Sequence, residues 1–410
     1  MKKWIIFCFA AAGAAACTSG GHQPGTFTLT GKINGLDTGT IYLSYGGWVG
    51  KAVRDSTVIV HGEFKFQDDS LREPALAYLY EKGGMRMDDP NSTGLYIEPA
   101  AMNFEADQGK FADAKISGSP SETEYQSLQA ALKPIMDDRK PLDKEYDSAN
   151  NAYIKAMQEK KLDDKALDSM KYRTAAIHDK FEPYSVRFQT VYRDFFTAHP
   201  QSWVTANEFL FQVNSLGLDT AELLYGRLGP AIQQSTVGKK LAQTIVKLKA
   251  GSPGSMAADF SRKDLHGTDV SLSAYRGKYV LLDFWASWCV PCRKSMPHVK
   301  ELYEKYKDKG LQVIAVSDDD ARPDAWQKAV AKDGTDLWPN VLRGYDQKIP
   351  FGTDQPGDLD EKFGIQSLPT KILIDPSGKI VGRYDKATEE ESASLDSKLA
   401  NEFSAAAATK

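Results

Sequence analysis

The segment Leu281-Leu282-Asp283-Phe284-Trp285-Ala286-Ser287-Trp288-Cys289-Val290-Pro291-Cys292 constrains this chain more than any other. Its apolar first half reads as a buried strand. Its two cysteines are spaced to lie on the first turn of the helix that follows. In that geometry two thiols interconvert with one disulfide with little backbone movement. The positive end of the helix favours a thiolate, so Cys289, at the helix mouth, is expected to have a lowered pKa. Attack of such a thiolate on a disulfide is the elementary step of thiol–disulfide exchange.

A chain of 410 residues is too long for one small core and predicts two or three domains. With 41% apolar and 26% charged residues it has the composition of an ordinary globular protein. A formal charge of −4 gives no reason to expect nucleic acid or an acidic membrane surface as partner.

Residues 1–17 read as a signal segment. Lys2-Lys3 precede an apolar stretch from Trp4 to Ala12, too short for a comfortable membrane span, and Ala14-Ala15-Ala16-Cys17 follows. The last four residues resemble a bacterial lipobox, which implies cleavage before Cys17 and its lipidation. Ala14 stands where such boxes usually carry Leu, and simple secretion after an A-x-A site is the alternative. With Cys8 in the removed segment and Cys17 lipidated, Cys289 and Cys292 are the remaining thiols. An exported chain without other cysteines has no structural disulfide framework, so this pair points to redox chemistry with another molecule.

Residues 18–25 read as a tether. Residues 26–118 carry short alternating runs separated by Gly, Asn and Asp turns, including a tight hairpin at His61-Gly62, and predict an all-β, sandwich-like domain. Ser119-Pro120-Ser121-Glu122 is a helix start, with the glutamate expected to reach back to the cap. Residues 119–250 then carry helical periodicity, which Pro134 and Pro141 are expected to kink or break. A second run extends from Met170 to His199-Pro200. Gly251-Ser252-Pro253-Gly254-Ser255 reads as a linker. Strands and helices alternate over 251–403 and predict a three-layer α/β domain, followed by a frayed tail at 404–410.

Several features of 255–403 resemble the thioredoxin superfamily, in particular the TlpA and ResA-like thiol:disulfide oxidoreductases. They are the Trp288–Cys292 pair motif, Asp283 and Trp285 before it, Pro297 in the following helix, and Leu368-Pro369-Thr370. Asp259-Phe260 and Leu272–Lys278 resemble an N-terminal addition shared with peroxiredoxins, and residues 318–362 the insertion that separates TlpA-like proteins from plain thioredoxin. The resemblance implies an α/β thioredoxin fold with a central mixed sheet. Residues 27–250 resemble, more loosely, the extension that precedes such domains in some bacterial lipoproteins.

The resemblance implies roles. Cys289 is the attacking nucleophile and Cys292 resolves the mixed disulfide. Asp283 is the proton acceptor for Cys292; burial raises a carboxyl pKa toward a useful range. Pro369 forms a cis bond beside the disulfide, and Leu368 offers its backbone to an extended partner segment. Trp288, Val290, Pro291, Leu368 and Thr370 form the substrate groove, while Trp285 packs in the core. Ser295 stands where ResA-like proteins carry an acid, and Ala315 where thioredoxin carries a lysine, so Asp283 is expected to lack a cationic partner. Arg293 and Lys294 are expected to be largely solvated.

Zinc needs four ligands and no second cysteine pair exists; haem attachment needs a histidine where Arg293 stands. No metal or other cofactor is therefore expected. His298, Asp318-Asp319-Asp320 and the loop from Arg343 to Asp358 read as a surface histidine and solvated loops. Expected partners are proteins bearing disulfides or thiols, an external electron donor, and a membrane reached through the lipid anchor in the periplasm or cell envelope. Two alternatives remain: a peroxiredoxin-like peroxidase, although Trp285-Ala286-Ser287-Trp288 replaces the Pro and Thr of that family, or a binding module with an accessory redox domain.

Overall fold

The computed structural model describes residues 26–46, 52–81, 86, 89–159, 162–349 and 355–408. Residues 1–17, read above as a signal segment ending at Cys17, and residues 18–25, read as a tether, lie outside them. The chain divides into two compact units, the first through Gln126 and the second from Ser127.

The first unit holds β1 (Phe27–Asn34), β2 (Thr38–Tyr45), β3 (Val53–Val60), β4 (Glu63–Asp68), β5 (Ala75–Tyr80), β6 (Ser92–Ile97), β7 (Ala101–Asp107) and β8 (Lys115–Ser117). The sandwich-like layering takes the form of one eight-stranded sheet, ordered β6-β5-β2-β3-β4-β1-β7-β8. Alternate residues such as Met102, Phe104 and Ala106 of β7 point to a single apolar core shared with Leu29, Leu43, Ile59, Phe66 and Leu79. The short turn Phe111–Asp113 packs against both β6 and β7, first and seventh in the strand order, so the sheet curls over its core. His61 (φ 55°) and Gly62 (φ 79°) make the β3–β4 hairpin with both central residues left-handed.

Helix α1 (Pro120–Glu159) begins in this unit and runs 40 residues, continuing through Pro134 and Pro141 rather than breaking. Each proline removes one backbone bond, and burial of Leu128, Leu132, Ile135 and Leu142 along one face holds the helix across the gaps. Ser119 Oγ caps by accepting from Glu122 N at 2.9 Å, but the Glu122 carboxylate does not reach back. It accepts instead from Tyr96 N at 2.7 Å, because that strand amide is buried and needs an acceptor.

In the second unit follow α2 (Asp164–Asp179), α3 (Glu182–Ala198), α4 (Trp203–Gln212), α5 (Leu218–Arg227), α6 (Pro230–Gln234) and α7 (Thr236–Ala250). The run expected as one helix up to Pro200 is split between α2 and α3, since Pro183 in the first turn of α3 favours a new start. The Gly251–Ser255 stretch is not a free linker. Gly254 N donates to Ile380 O at 2.8 Å, and Ile380 N returns a bond of 2.8 Å to Ser255 O.

Beyond it come β9 (Ser261–Lys263), β10 (Asp269–Ser271), β11 (Tyr279–Trp285), α8 (Val290–Tyr306), β12 (Leu311–Ser317), α9 (Pro323–Asp333), β13 (Asn340–Leu342), α10 (Leu359–Lys362), β14 (Thr370–Ile374), β15 (Ile380–Tyr384) and α11 (Glu389–Ala408). Five of these strands form a mixed sheet ordered β13-β12-β11-β14-β15, with β11 parallel to β12 and antiparallel to β14. Two apolar cores lie on its two faces. Leu281 and Trp285 belong to the one shared with Met296, Val299 and Leu302 of α8. Val280, Leu282 and Phe284 belong to the other, shared with Phe260, Leu272 and Phe363. This is the three-layer α/β thioredoxin arrangement. Among the described residues no helix is long and apolar enough to cross a membrane.

Candidate active site

Helix α8 starts at Cys289, which has extended backbone (φ −77°, ψ 101°) and serves as N-cap. Its Sγ accepts the Cys292 backbone N–H at 3.2 Å, taking the place of the oxygen that usually caps a helix. Pro291, in the first turn, has no N–H to leave unpaired there. Cys289 and Cys292 form a disulfide with Cα atoms 5.3 Å apart. Both are buried, whereas Trp288 beside them is 43% exposed. On reduction, the thiolate at Cys289 would lie at the positive end of α8 with the Cys292 N–H directed at it, which favours negative charge.

The loop before the pair is held by a residue expected to be solvated. Asp319 is 1% exposed. It accepts from Ser287 N at 2.6 Å, from Ser287 Oγ at 2.7 Å and from Ser317 Oγ at 2.7 Å. Its burial follows from topology: β11 and β12 are parallel, so the residues just past their ends emerge side by side. A polar residue two positions past the end of an apolar parallel strand was the available signal.

Asp283 lies between Leu281 and Trp285, so alternation directs it to the α8 side of the sheet. It is 1% exposed, and neither carboxylate oxygen accepts a close hydrogen bond. It does have a cationic partner. Lys371 Nζ lies 3.4 Å from Asp283 Oδ1. The expectation of a lone acid fails because Ala315 faces Asp283 from β12 while Lys371 faces it from β14, at the directly paired position. The signal was a single lysine at the start of the otherwise apolar strand Thr370–Ile374. Burial pushes the Asp283 carboxyl above the usual carboxylate range, and the Lys371 ammonium only partly offsets it. Lys371 Nζ also donates to Ser295 Oγ at 3.1 Å, and Ser295 Oγ donates to Cys292 O at 2.9 Å. A polar chain thus runs from Asp283 to the first turn of α8.

The Leu368–Pro369 peptide is cis. Thr370 pairs with Phe284, which places Pro369 at the end of the sheet where β11 leads into the cysteine loop. Leu368 is half-buried and packs against the core cluster that contains Cys289 and Cys292. Among the residues expected to form a groove, Trp288, Pro291 and Leu368 reach solvent, whereas the side chains of Val290 and Thr370 are buried. Trp285 is fully buried in the core.

Arg293 is not solvated. It forms a two-pronged pair with Asp333, at 2.7 and 2.6 Å, and its side chain is 9% exposed. Lys294 is exposed. His298 pairs with Asp396 at 2.8 Å. The stretch read as solvated loops also contains a buried ionic cluster. Arg343 pairs with Asp318 at 3.3 Å, with Asp358 at 3.5 Å and with Asp360. Burial pushes the Asp360 carboxyl up to about 7, against the pull of Arg343. A carboxyl whose native pKa exceeds its unfolded value stabilises most below the unfolded pKa, and that contribution is lost as pH rises through the native one. The contribution of Asp360 to the melting temperature is therefore expected to decline between about pH 4 and pH 7. Asp360→Asn should flatten that decline by on the order of a few degrees. An unchanged slope in a pH series of thermal melts would refute the assignment.

Residues 253–383 match the AhpC/TSA family, and residues 27–125 match DUF4369, a domain of unknown function. The thiol-disulfide oxidoreductase ResA of Bacillus cereus is 34% identical over 176 residues, covering 43% of this chain and 86% of the relative. ResA of Bacillus thuringiensis is 38% identical over 129 residues, 31% of this chain and 66% of the relative. The thioredoxin-like protein YneN of Bacillus subtilis is 36% identical over 164 residues, 39% of this chain and 89% of the relative. Among solved structures, the thioredoxin domain of a thiol-disulfide oxidoreductase from Bacteroides vulgatus is 34% identical and covers 36% of this chain and 97% of that chain, with a TM-score of 0.31. With its cysteine pair intact at the start of α8, the chain belongs to the ResA-like thiol-disulfide oxidoreductases.

Proposed function

We propose that this oxidoreductase reduces disulfides in other proteins of the cell envelope, held at a membrane by lipid on Cys17. The observation that carries the reading is the Cys289–Cys292 disulfide at the N-terminus of α8, with Cys289 as its cap. In the reduced enzyme the Cys289 thiolate attacks one sulfur of a partner disulfide. A mixed disulfide forms and the partner's other sulfur leaves as a thiolate that takes up a proton. Cys292 then gives its proton to Asp283 and attacks Cys289 Sγ, which releases the second partner thiol. Two electrons have passed to the partner, and an external dithiol donor must restore the pair. Lys371 stabilises the ionised form of Asp283 that accepts the proton, and Ser295 ties this pair to the Cys292 turn. Trp288, Pro291 and Leu368 line the approach, and the cis Pro369 leaves the Leu368 backbone to pair with an extended partner segment. Cytochrome c maturation is one pathway that needs such a reductant.

The reduction potential against glutathione tests the direction. A value closer to thioredoxin's, about −270 mV, than to that of the oxidant DsbA, about −120 mV, is expected. A value near the latter overturns the reducing direction. Hydrogen peroxide consumption, measured beside insulin reduction, separates a peroxidase and should stay at background. Replacing Cys17 with Ala should move the protein from the membrane fraction to the soluble fraction of a bacterial host, and unchanged partitioning would remove the anchor.

A further inference from the structure

The helices between residues 126 and 252 are matched by neither family model, yet one of them reaches the redox loop. Lys171, on α2, donates from Nζ to the backbone carbonyl of Ser287 at 3.1 Å. Ser287 lies two residues before Cys289, so their Cα atoms are at most about 7 Å apart. Its N–H and Oγ–H already go to the buried Asp319. One loop residue is therefore gripped by an anion on one side and a cation on the other. Two further contacts dock α2 beside α8 and α9. Asp168 pairs with Lys332 at 2.5 Å, and Lys294 Nζ lies 6.0 Å from the centre of the Tyr172 ring.

We infer that α2 is part of the redox site and that Lys171 is a positioning residue for Cys289, fixing the Ser287 carbonyl and balancing the Asp319 charge beside the nucleophile. The neighbouring charges leave this task to Lys171. Arg293 is spent on Asp333, Lys332 on Asp168, and Lys371, from the β14 side, on Asp283. The Asp319 carboxylate takes its hydrogen bonds from neutral donors. Lys294 is exposed and screened by solvent. Partial desolvation of the Lys171 ammonium, with Arg293 nearby, lowers its pKa, while Asp168, Asp319 and Asp333 pull the other way. It is thus held close enough to the protein interior for its field to be felt. Without it, the negative charge of Asp319 opposes formation of the Cys289 thiolate.

The inference rests on Cys289 being the nucleophile, and its test is separable from that reading. In the reduced full-length protein, the rate of iodoacetamide alkylation of Cys289 is followed against pH. Lys171→Gln is expected to raise the midpoint by about half a pH unit, so that alkylation at pH 6 slows about threefold. Lys171→Arg, which keeps charge and donor, is expected to restore the wild-type midpoint. A Lys171→Gln midpoint equal to wild type overturns the inference while leaving wild-type disulfide reduction, and hence the proposed function, in place. Should Lys171→Gln not fold, Asp319→Asn decides. It removes the opposing charge and should lower the midpoint, and an unmoved or raised midpoint overturns the inference.

Discussion

Replacing Cys289 with Ser is expected to abolish turnover, leaving insulin reduction at the rate of dithiothreitol alone. A hydroxyl at this place is a good helix cap, so the start of α8 should survive the change. What is lost is the proposed nucleophile. A serine hydroxyl is not ionised near neutral pH and cannot form a disulfide with Cys292, so neither the mixed disulfide nor its resolution is available. The partner substitution behaves differently. Cys292→Ala keeps the attacking sulfur at the helix mouth but removes the group that resolves the intermediate. It should accumulate a mixed disulfide with a model substrate, visible as a mass increase that dithiothreitol reverses. Residual turnover in Cys289→Ser, or a free Cys289 thiol in Cys292→Ala after exposure to substrate disulfide, would contradict the assigned roles.

Much of this site is local in the chain and therefore legible in it. Seven consecutive buried residues from Tyr279 to Trp285 lead into a loop and a helix whose cap is Cys289. Nothing distant is needed to anticipate that arrangement. The features that sequence did not disclose all depend on pairing between remote segments. Lys371 meets Asp283 only because β14 runs antiparallel to β11 in one particular register. A shift of one residue would have turned the lysine to the other face. Asp319 looks like one of three loop aspartates until the parallel pairing of β11 and β12 brings it to Ser287. In the first unit, β1 pairs with β7 in parallel across most of the domain's length. Strand spacing alone does not distinguish that single curled sheet from two facing ones. Pro134 and Pro141 misled for a related reason: local helix-breaking tendency is outweighed by tertiary burial of the helix face.

The Asp283–Lys371 pair gives a result in which stability and activity part company. Both side chains are more than nine-tenths buried and lie 3.4 Å apart. Removing one partner strands the other. Lys371→Met should destabilise the fold by about 3–5 kcal/mol at neutral pH if Asp283 stays ionised, and by less if the acid takes up a proton. The sign of the pH dependence follows. The Asp283 carboxyl already lies above its ordinary range, so the native state holds its proton longer than the unfolded chain does. Its contribution to stability is full at acid pH and is lost as pH rises through the native value. Without Lys371 that value moves higher still, and the defect of Lys371→Met should shrink when the protein is melted near pH 4. Replacing both residues, Asp283→Leu with Lys371→Met, removes the cost of two buried charges. The double variant should recover wild-type stability or exceed it by about 1–4 kcal/mol. Its resolution step, however, lacks the proposed proton acceptor, and turnover should fall about 100-fold. A double variant that is stable and fully active would show the pair to be structural alone. A loss in the double variant equal to the sum of the losses in Asp283→Leu and Lys371→Met would mean that the two charges do not interact.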